Sequence, residues 1–436
     1  PSKALLETSH KFIESRDHFA EIGINVGDVS TDIKKMLEFK NSVIAKNTGG
    51  ISALFKANGV TALQTIATGP KSRAFGVLVG GLGIVTVSFI LSFYAIVSGW
   101  MLAFLLQPFA AWLGMDGLAA WLVSDGVLRN SLFVVVFMLL TILIISAGVK
   151  DGIEKWATRL MPSLVLILAL LIVYVMTLPG AFEGLRAYLV PDFSALTRPE
   201  LLVSAMGQAF FSLSLGVGTM LVYGSYISKS ENLPVIGSLV ALLDVGIAVL
   251  AGLLILPAMY VALESGVEIY SEGGGLIAGP GLIISVLPAL FDNMGAIGGL
   301  VAVAFFALMT IASLTSSISM LEVPVSFLVE RREVRRPVAA VVIGGVIALI
   351  SLLIVANFGV LFDLVVSLTT EMSQPLLGLF FCVFAGWIWN RSTILEEIRQ
   401  GSPAAERGLF WKIWPWYIKF FCPVIIAAIF VQSVWG

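Results

Sequence analysis

Three groups of polar residues lie inside otherwise apolar stretches of this 436-residue chain and could do chemistry there. In GQAFFSLSLGVGTMLVYGSY, Ser212, Ser214, Gly216 and Gly218 fall at the middle of the run. Glycine loosens a helix at such a place, and hydroxyls can bond the carbonyls that are freed. A helix broken near the bilayer midplane offers carbonyl oxygens to a cation and amide ends to an anion. Small residues at this spacing also let two helices approach closely, and the sequence leaves both readings open. In IASLTSSISM, Thr315, Ser316, Ser317 and Ser319 form a hydroxyl row. With a carbonyl one turn earlier, they could offer several oxygens to a hard cation such as sodium. Back-bonding of each hydroxyl to its own helix is the alternative. In LLDVGIAVLAG, Asp244 has no neighbouring Lys or Arg. Unpaired in a bilayer, that carboxylate must be protonated, meet water or hold a cation. Glu322, further along the hydroxyl-bearing run, is expected to snorkel or to cap a basic loop.

The elements that position these groups follow from composition. The chain is 58% hydrophobic and 12% charged, with mean hydropathy +0.98 and net charge −2. Soluble domains carry about 25% charged residues. The apolar residues gather in runs of about 20 or more, enough to cross a hydrocarbon core of about 30 Å as helices. The expected fold is an all-α, polytopic membrane protein with nine spans, at 74–106, 130–148, 158–179, 200–227, 234–263, 295–329, 337–356, 360–390 and 415–435. Cys382 and Cys422 both sit in apolar runs and point to neither a disulfide framework nor a zinc site. No basic-then-apolar signal peptide opens the chain, and its first residue is Pro1, so a fragment or a processed product is expected.

Alternate loops differ in basic residues. Lys150, Lys155 and Arg159, then Lys229, then Arg331, Arg332, Arg335 and Arg336, then Arg391, Arg399, Arg407 and Lys412 occupy one set. The intervening loop at 264–294 has no Lys or Arg and carries Glu264, Glu268, Glu272 and Asp292. The positive-inside rule puts the basic loops in the cytoplasm, together with the segment before the first span, where Lys71 and Arg73 lie. Nine spans then leave the C-terminus outside.

From about residue 74 the chain resembles the neurotransmitter:sodium symporter family, in its bacterial amino-acid-transporting branch. The resemblance rests on AGVKDGIEKWATRLMPSLVLI, YLVPDFSAL, GQAFFSLSLGVGTMLVYGSY, GPGLIISVLPALF and LTSSISMLEVPVSFLVE, in family order, over about five-sixths of the chain. It implies an inverted-repeat fold with substrate and sodium held between broken helices. By resemblance, Tyr94 in FILSFYAIVSGW bonds the substrate carboxylate and Ile90 lines the pocket. Phe211 is the lid over the substrate. Ser214, Val217 and Met320 face the substrate side chain, which favours an apolar amino acid. Ser212 and Asp244 belong to a first sodium site, and Ala312, Thr315 and Ser316 to a second. Gln208 lies near the outer gate, with Asp363 as the nearest acid to its other side. Matched by motif, the first span is the family's third helix, so the two helices that precede it in the family are missing. That absence implies weak binding and transport by the chain as it stands.

Residues 1–64 resemble something else. PSKALLETSHKF, followed by IGINVGDVSTDIKKMLEFKNSVIAKNTGGISALFKANGVTAL, is similar to dihydrolipoamide dehydrogenase just after its redox-active cysteine pair, with Lys3 matching a lysine near the flavin. The segment has no CxxxxC pair and no GxGxxG turn, so no redox activity is expected of it. The domain boundary is set at 73: a cytoplasmic flavoprotein-like segment over 1–73, then the transmembrane part over 74–436. The implied protein is a sodium-dependent symporter, not an enzyme, in the inner membrane of a bacterium. Its expected partners are sodium ions, a small amino acid and the lipid bilayer, with no organic cofactor and no nucleic acid. The alternative is a non-transporting membrane protein made by gene fusion or an assembly error.

Overall fold

The computed structural model describes residues 70–436, apart from 192, 194–197, 229, 272–274, 278, 280 and 436. The dihydrolipoamide dehydrogenase resemblance of residues 1–64 and its Lys3 therefore lie outside the described residues, as do Lys229 and Glu272 of the loop-charge reading. The described chain is almost wholly helical, its one strand-like feature being an isolated bridge between Tyr270 and Leu276. Apolar runs of about 20 residues leave little but helix possible in hydrocarbon, where backbone groups must be satisfied within the segment itself.

The first helix, α1, runs from Pro70 to Trp112. It is followed by the short α2 (Asp116–Val123), then α3 (Val127–Ser146) and α4 (Lys155–Val175), the last entered through a π-helical turn at Val149–Glu154. A surface helix, α5 (Ala181–Leu189), precedes α6 (Pro199–Ser212) and α7 (Thr219–Tyr226). Next come α8 (Leu233–Glu264), α9 (Leu287–Asn293), α10 (Gly298–Arg332) and α11 (Arg336–Ala356). The chain ends with α12 (Phe358–Val366), α13 (Gln374–Val383), α14 (Arg391–Gly401), α15 (Leu409–Trp416) and α16 (Cys422–Trp435). Wider π-helical turns at Ser367–Ser373, Phe384–Ile388 and Tyr417–Phe421 join the last pieces into longer rods.

Eight helical stretches among the described residues are long and apolar enough to cross a membrane. The fourth expected span, 200–227, is divided into α6 and α7, of 14 and 8 residues, neither of which reaches across alone. The 264–294 loop is not featureless either, since it holds α9 and the π-helical turn at Leu282–Val286.

The packing centre is α1 against α10, with α3, α4 and α11 around them. Val87, Leu91 and Ile96 of α1, Phe137 and Ile145 of α3, and Leu321 and Val325 of α10 are fully enclosed. Lipid tails are as apolar as leucine, so tight packing and buried polar ties hold such helices together. Among them, the Ser351 hydroxyl of α11 donates to the Ser92 carbonyl of α1 at 2.7 Å, and the Trp100 indole N–H of α1 donates to Asn130 of α3 at 3.0 Å.

Candidate sodium and substrate site

The break between α6 and α7 is written in backbone geometry. After Phe210 the helical ladder closes with the Leu213 amide on Ala209 (3.1 Å) and the Leu215 amide on Phe210 (2.9 Å). It resumes when Leu221 and Val222 both donate to the Gly218 carbonyl at 3.1 Å. Between those points Ser214 takes φ +50° and Gly216 and Gly218 take φ +85°, left-handed values that suit glycine. At Gly216 the demand is doubled, because a Cβ would fall on the Gln374 carbonyl oxygen of α13. The two readings of SLSLGVG thus hold together: the glycines break the helix and also let α13 approach. Gln374, almost fully buried, turns its amide Nε2 to the Phe210 carbonyl at 2.7 Å, where the ladder is ending.

At the end of α6 the Ser212 hydroxyl donates to Asp244 of α8 at 2.6 Å. Asp244 is therefore not the isolated carboxylate expected from its neighbours in sequence; its partner comes from 32 residues away. On α10 the Thr315 hydroxyl donates to the Ala312 carbonyl at 2.9 Å, and Ser319 donates to the Thr315 carbonyl at 3.2 Å. This is the back-bonding reading, but it spends only the hydroxyl protons. The lone pairs of Thr315 Oγ1 remain, while the Ala312 carbonyl, inside α10, already takes both this hydroxyl and the helical amide one turn on, so it would meet an ion in place of the hydroxyl proton. Ser316, exposed on the same helix, pairs with the Tyr94 phenol of α1. Both oxygen groups fit sodium: Ser212 and Asp244 in one, Ala312, Thr315 and Ser316 in the other, all hard donors. Among the described residues no cluster of three His, Cys, Asp or Glu side chains competes as a transition-metal site.

The residues expected to face the substrate divide. Ile90, Val217 and Met320 are buried in one apolar cluster, with Tyr94, Phe211 and Ala312 packed against it. Ser214 lines a separate cavity, toward α13 and α16. Gln208 is exposed on α6, one turn before Phe211, and Asp363 is exposed on α12.

Toward the basic end of α10, Glu322 is fully buried instead of snorkelling. Its carboxylate pairs with Arg336 at the start of α11 and accepts from the Tyr226 phenol of α7. Arg336 also donates through Nε to the Ile145 carbonyl of α3 at 3.0 Å. Higher up, Tyr223 of α7 and Ser319 of α10 share a 2.9 Å hydrogen bond. Sequence reasoning singled out neither Tyr223, Tyr226 nor Gln374. The available signal was a polar residue inside an apolar run, as with Gln374 in TTEMSQPLLG.

Comparisons with known proteins bear on this arrangement. The model of the "Sodium:neurotransmitter symporter family" matches residues 115–436. The chain is 31% identical over 380 residues to an uncharacterized sodium-dependent transporter of Bacillus subtilis (strain 168), YhdH, covering 84% of this chain and 81% of that protein. An uncharacterized sodium-dependent transporter of Haemophilus influenzae is 29% identical over 377 residues, covering 82% and 79%. Among solved structures, MhsT in complex with L-phenylalanine superposes with TM-score 0.73 at 32% identity, covering 88% of this chain and 87% of the other. The relatives named are transporters, not enzymes, and they favour the symporter reading over a non-transporting fusion product. Family match and helical architecture agree over the same residues that carry the broken helix and its sodium-compatible oxygens, and so the chain belongs to the sodium:neurotransmitter symporter family.

Proposed function

We propose that this chain serves sodium-coupled transport of an amino acid with an apolar side chain. The observation that carries the reading is the hydrogen bond from Ser212, at the end of a half-helix, to Asp244 on α8. In this reading Ser212 and Asp244 bind one sodium ion; Ala312, Thr315 and Ser316 bind a second. Tyr94 holds the substrate carboxylate, Phe211 closes over it, and Ile90, Val217 and Met320 receive the side chain. The enclosed, hydrocarbon setting of those three residues supports an apolar substrate, as does the L-phenylalanine bound to MhsT. Ser214, grouped with them by resemblance, faces the separate cavity toward α13 and α16 instead, and Gln208 and Asp363 are assigned to the outer side.

The membrane is the cytoplasmic membrane of a bacterium, with the Arg331–Arg336 and Arg391–Arg407 loops inside and the C-terminus outside, as the loop charges favour. Residues 1–64 remain a dihydrolipoamide dehydrogenase-like cytoplasmic segment without redox activity, read from sequence resemblance alone. By motif, α1 corresponds to the family's third helix, and α6 through α13 make up the second repeat.

Uptake of radiolabelled L-phenylalanine into vesicles tests the proposal. The chain is supplied in one arm with the family's first two helices fused ahead of residue 74, and in the other as it stands. Sodium-driven uptake is expected in the fused arm and weak uptake in the other. Uptake in the fused arm that ignores replacement of sodium by potassium would overturn the reading.

A further inference from the structure

A cavity of about 430 Å³ lies between the α6–α7 break, α13 and the α15–α16 rod. No residue of α1, α8 or α10 lines it, so it is separate from the sodium-compatible oxygens and from the Ile90–Val217–Met320 cluster. Its walls are aliphatic, aromatic, thiol or thioether, apart from the Ser214 hydroxyl and the polar tips of Trp389 and Tyr417. A zwitterionic amino acid placed here would leave its ammonium and carboxylate without charged partners, at a cost hydrocarbon cannot offset.

Depth and polarity identify the occupant. Along α13 and the π-helical turn that follows it the lining runs from Gly378 to Trp389, eleven residues on, or at most about 16 Å at about 1.5 Å per residue. That is half of a hydrocarbon core of about 30 Å, the depth of a single leaflet. The inner end is closed by Gly216 and Gly218 at the break, while Cys382 and Cys422 flank the middle. Tyr417 is exposed at the outer end, beside Trp389, which is the amphipathic aromatic pairing found where hydrocarbon meets headgroups. Two cations lie two residues beyond these lining aromatics in sequence, Lys419 after Tyr417 and Arg391 after Trp389. Lys419 holds its ammonium 4.5 Å from the Trp387 ring, and the Arg391 guanidinium stands 5.4 Å from the Trp411 ring.

We propose that this cavity holds one acyl chain of an anionic phospholipid drawn from the leaflet on the Arg391 side. Its headgroup lies by Lys419 and Arg391, and its terminal methyl reaches the α6–α7 break. The proposal rests on membrane embedding and not on the transport reading, so either can fail without the other.

The test uses the full chain in vesicles of phosphatidylglycerol whose chain ends carry a photoactivatable diazirine. After illumination, peptides are mapped by mass spectrometry. Label is expected to concentrate on the segments bearing Cys382 and Cys422, above that on Leu349 and Leu353 of α11, which are each 62% exposed and report ordinary lipid contact. Filling the cavity with Ala385→Trp, or separately Cys422→Phe, removes the cavity label and leaves the α11 label in place. Cavity label no higher than that on α11, or unchanged in both variants, overturns the proposal. So does labelling of the cavity by a diazirine fatty acid when the phospholipid leaves it unlabelled. The ratio in the unaltered chain decides the matter even if a variant does not fold.

Discussion

Asp244 and Glu322 are both carboxylates in hydrocarbon, yet they are held in different ways. Asp244 accepts the Ser212 hydroxyl, and in the proposed function its remaining oxygen surface meets a sodium ion. Replacing Asp244 with Asn, or Ser212 with Ala, removes a charge-assisted oxygen contact, which corresponds to about 10- to 100-fold weaker sodium activation. Sodium-dependent binding of tritiated phenylalanine measures it, and Leu242→Ala, on an exposed part of α8, is the control expected to change nothing. Glu322 is committed to Arg336 and Tyr226 instead. Glu322→Ala leaves a half-buried guanidinium without its carboxylate and the Tyr226 phenol without its acceptor, a loss of roughly 1–3 kcal/mol. Thermal unfolding of the detergent-solubilised protein should show it, and Glu322→Met with Arg336→Met together should recover most of the loss. An equal loss in the single and double variants would show that the pairing is not what matters. Ser212, Asp244 and the α10 hydroxyls were legible because polar residues stand out within apolar runs. Their partners were not, since Gln374 meets Phe210 from 164 residues away and nothing local announces it.

Among elements, the divided helix is the most informative. Gly216 and Gly218 share φ +85°, but their surroundings differ. At Gly218 the nearest atom to an added Cβ is Val323 Cγ1 at 3.7 Å, ordinary contact, so Gly218→Ala costs only backbone strain of about 1–2 kcal/mol. Gly216→Ala adds a collision with the Gln374 carbonyl and should lower the melting temperature clearly further. Gln374→Leu strips the Phe210 carbonyl of its amide, for about 1–3 kcal/mol. Equal melting temperatures for the two alanine variants would refute the packing argument. Span positions and the possibility of a break could be read from glycine and serine placement. The division itself could not, because hydropathy averages over α6 and α7 and sees one run. Likewise α2, α5, α9 and α14 are too short to stand out from the loops that hold them.

At the scale of the whole molecule, the outer surface is hydrocarbon: Leu349 and Leu353 on α11, and Leu166 and Leu170 on α4, are each about three-fifths exposed. On a soluble protein Leu349→Arg would be close to neutral. Here it meets lipid, and the insertion penalty is about 2.5–3.5 kcal/mol on translocon scales. Membrane-inserted yield, read by protease protection, is expected to fall for Leu349→Arg and to hold for Leu349→Phe. Overall class was legible in composition, since it is a property of long segments. Which helices touch was not, since a lipid-facing and a protein-facing leucine are the same residue in sequence.

The ties on either side of the break have a mechanical consequence. The upper half-helix is leashed to α13 by the Gln374 amide, while the lower half is leashed to α10 by Tyr223 and Tyr226. Its two ends therefore travel with different bodies. Rotating one body against the other needs only torsion within residues 216–218, between the Leu215 amide that closes the upper ladder and the Gly218 carbonyl that opens the lower one. A continuous helix in this place would act as a strut; the divided one acts as a swivel.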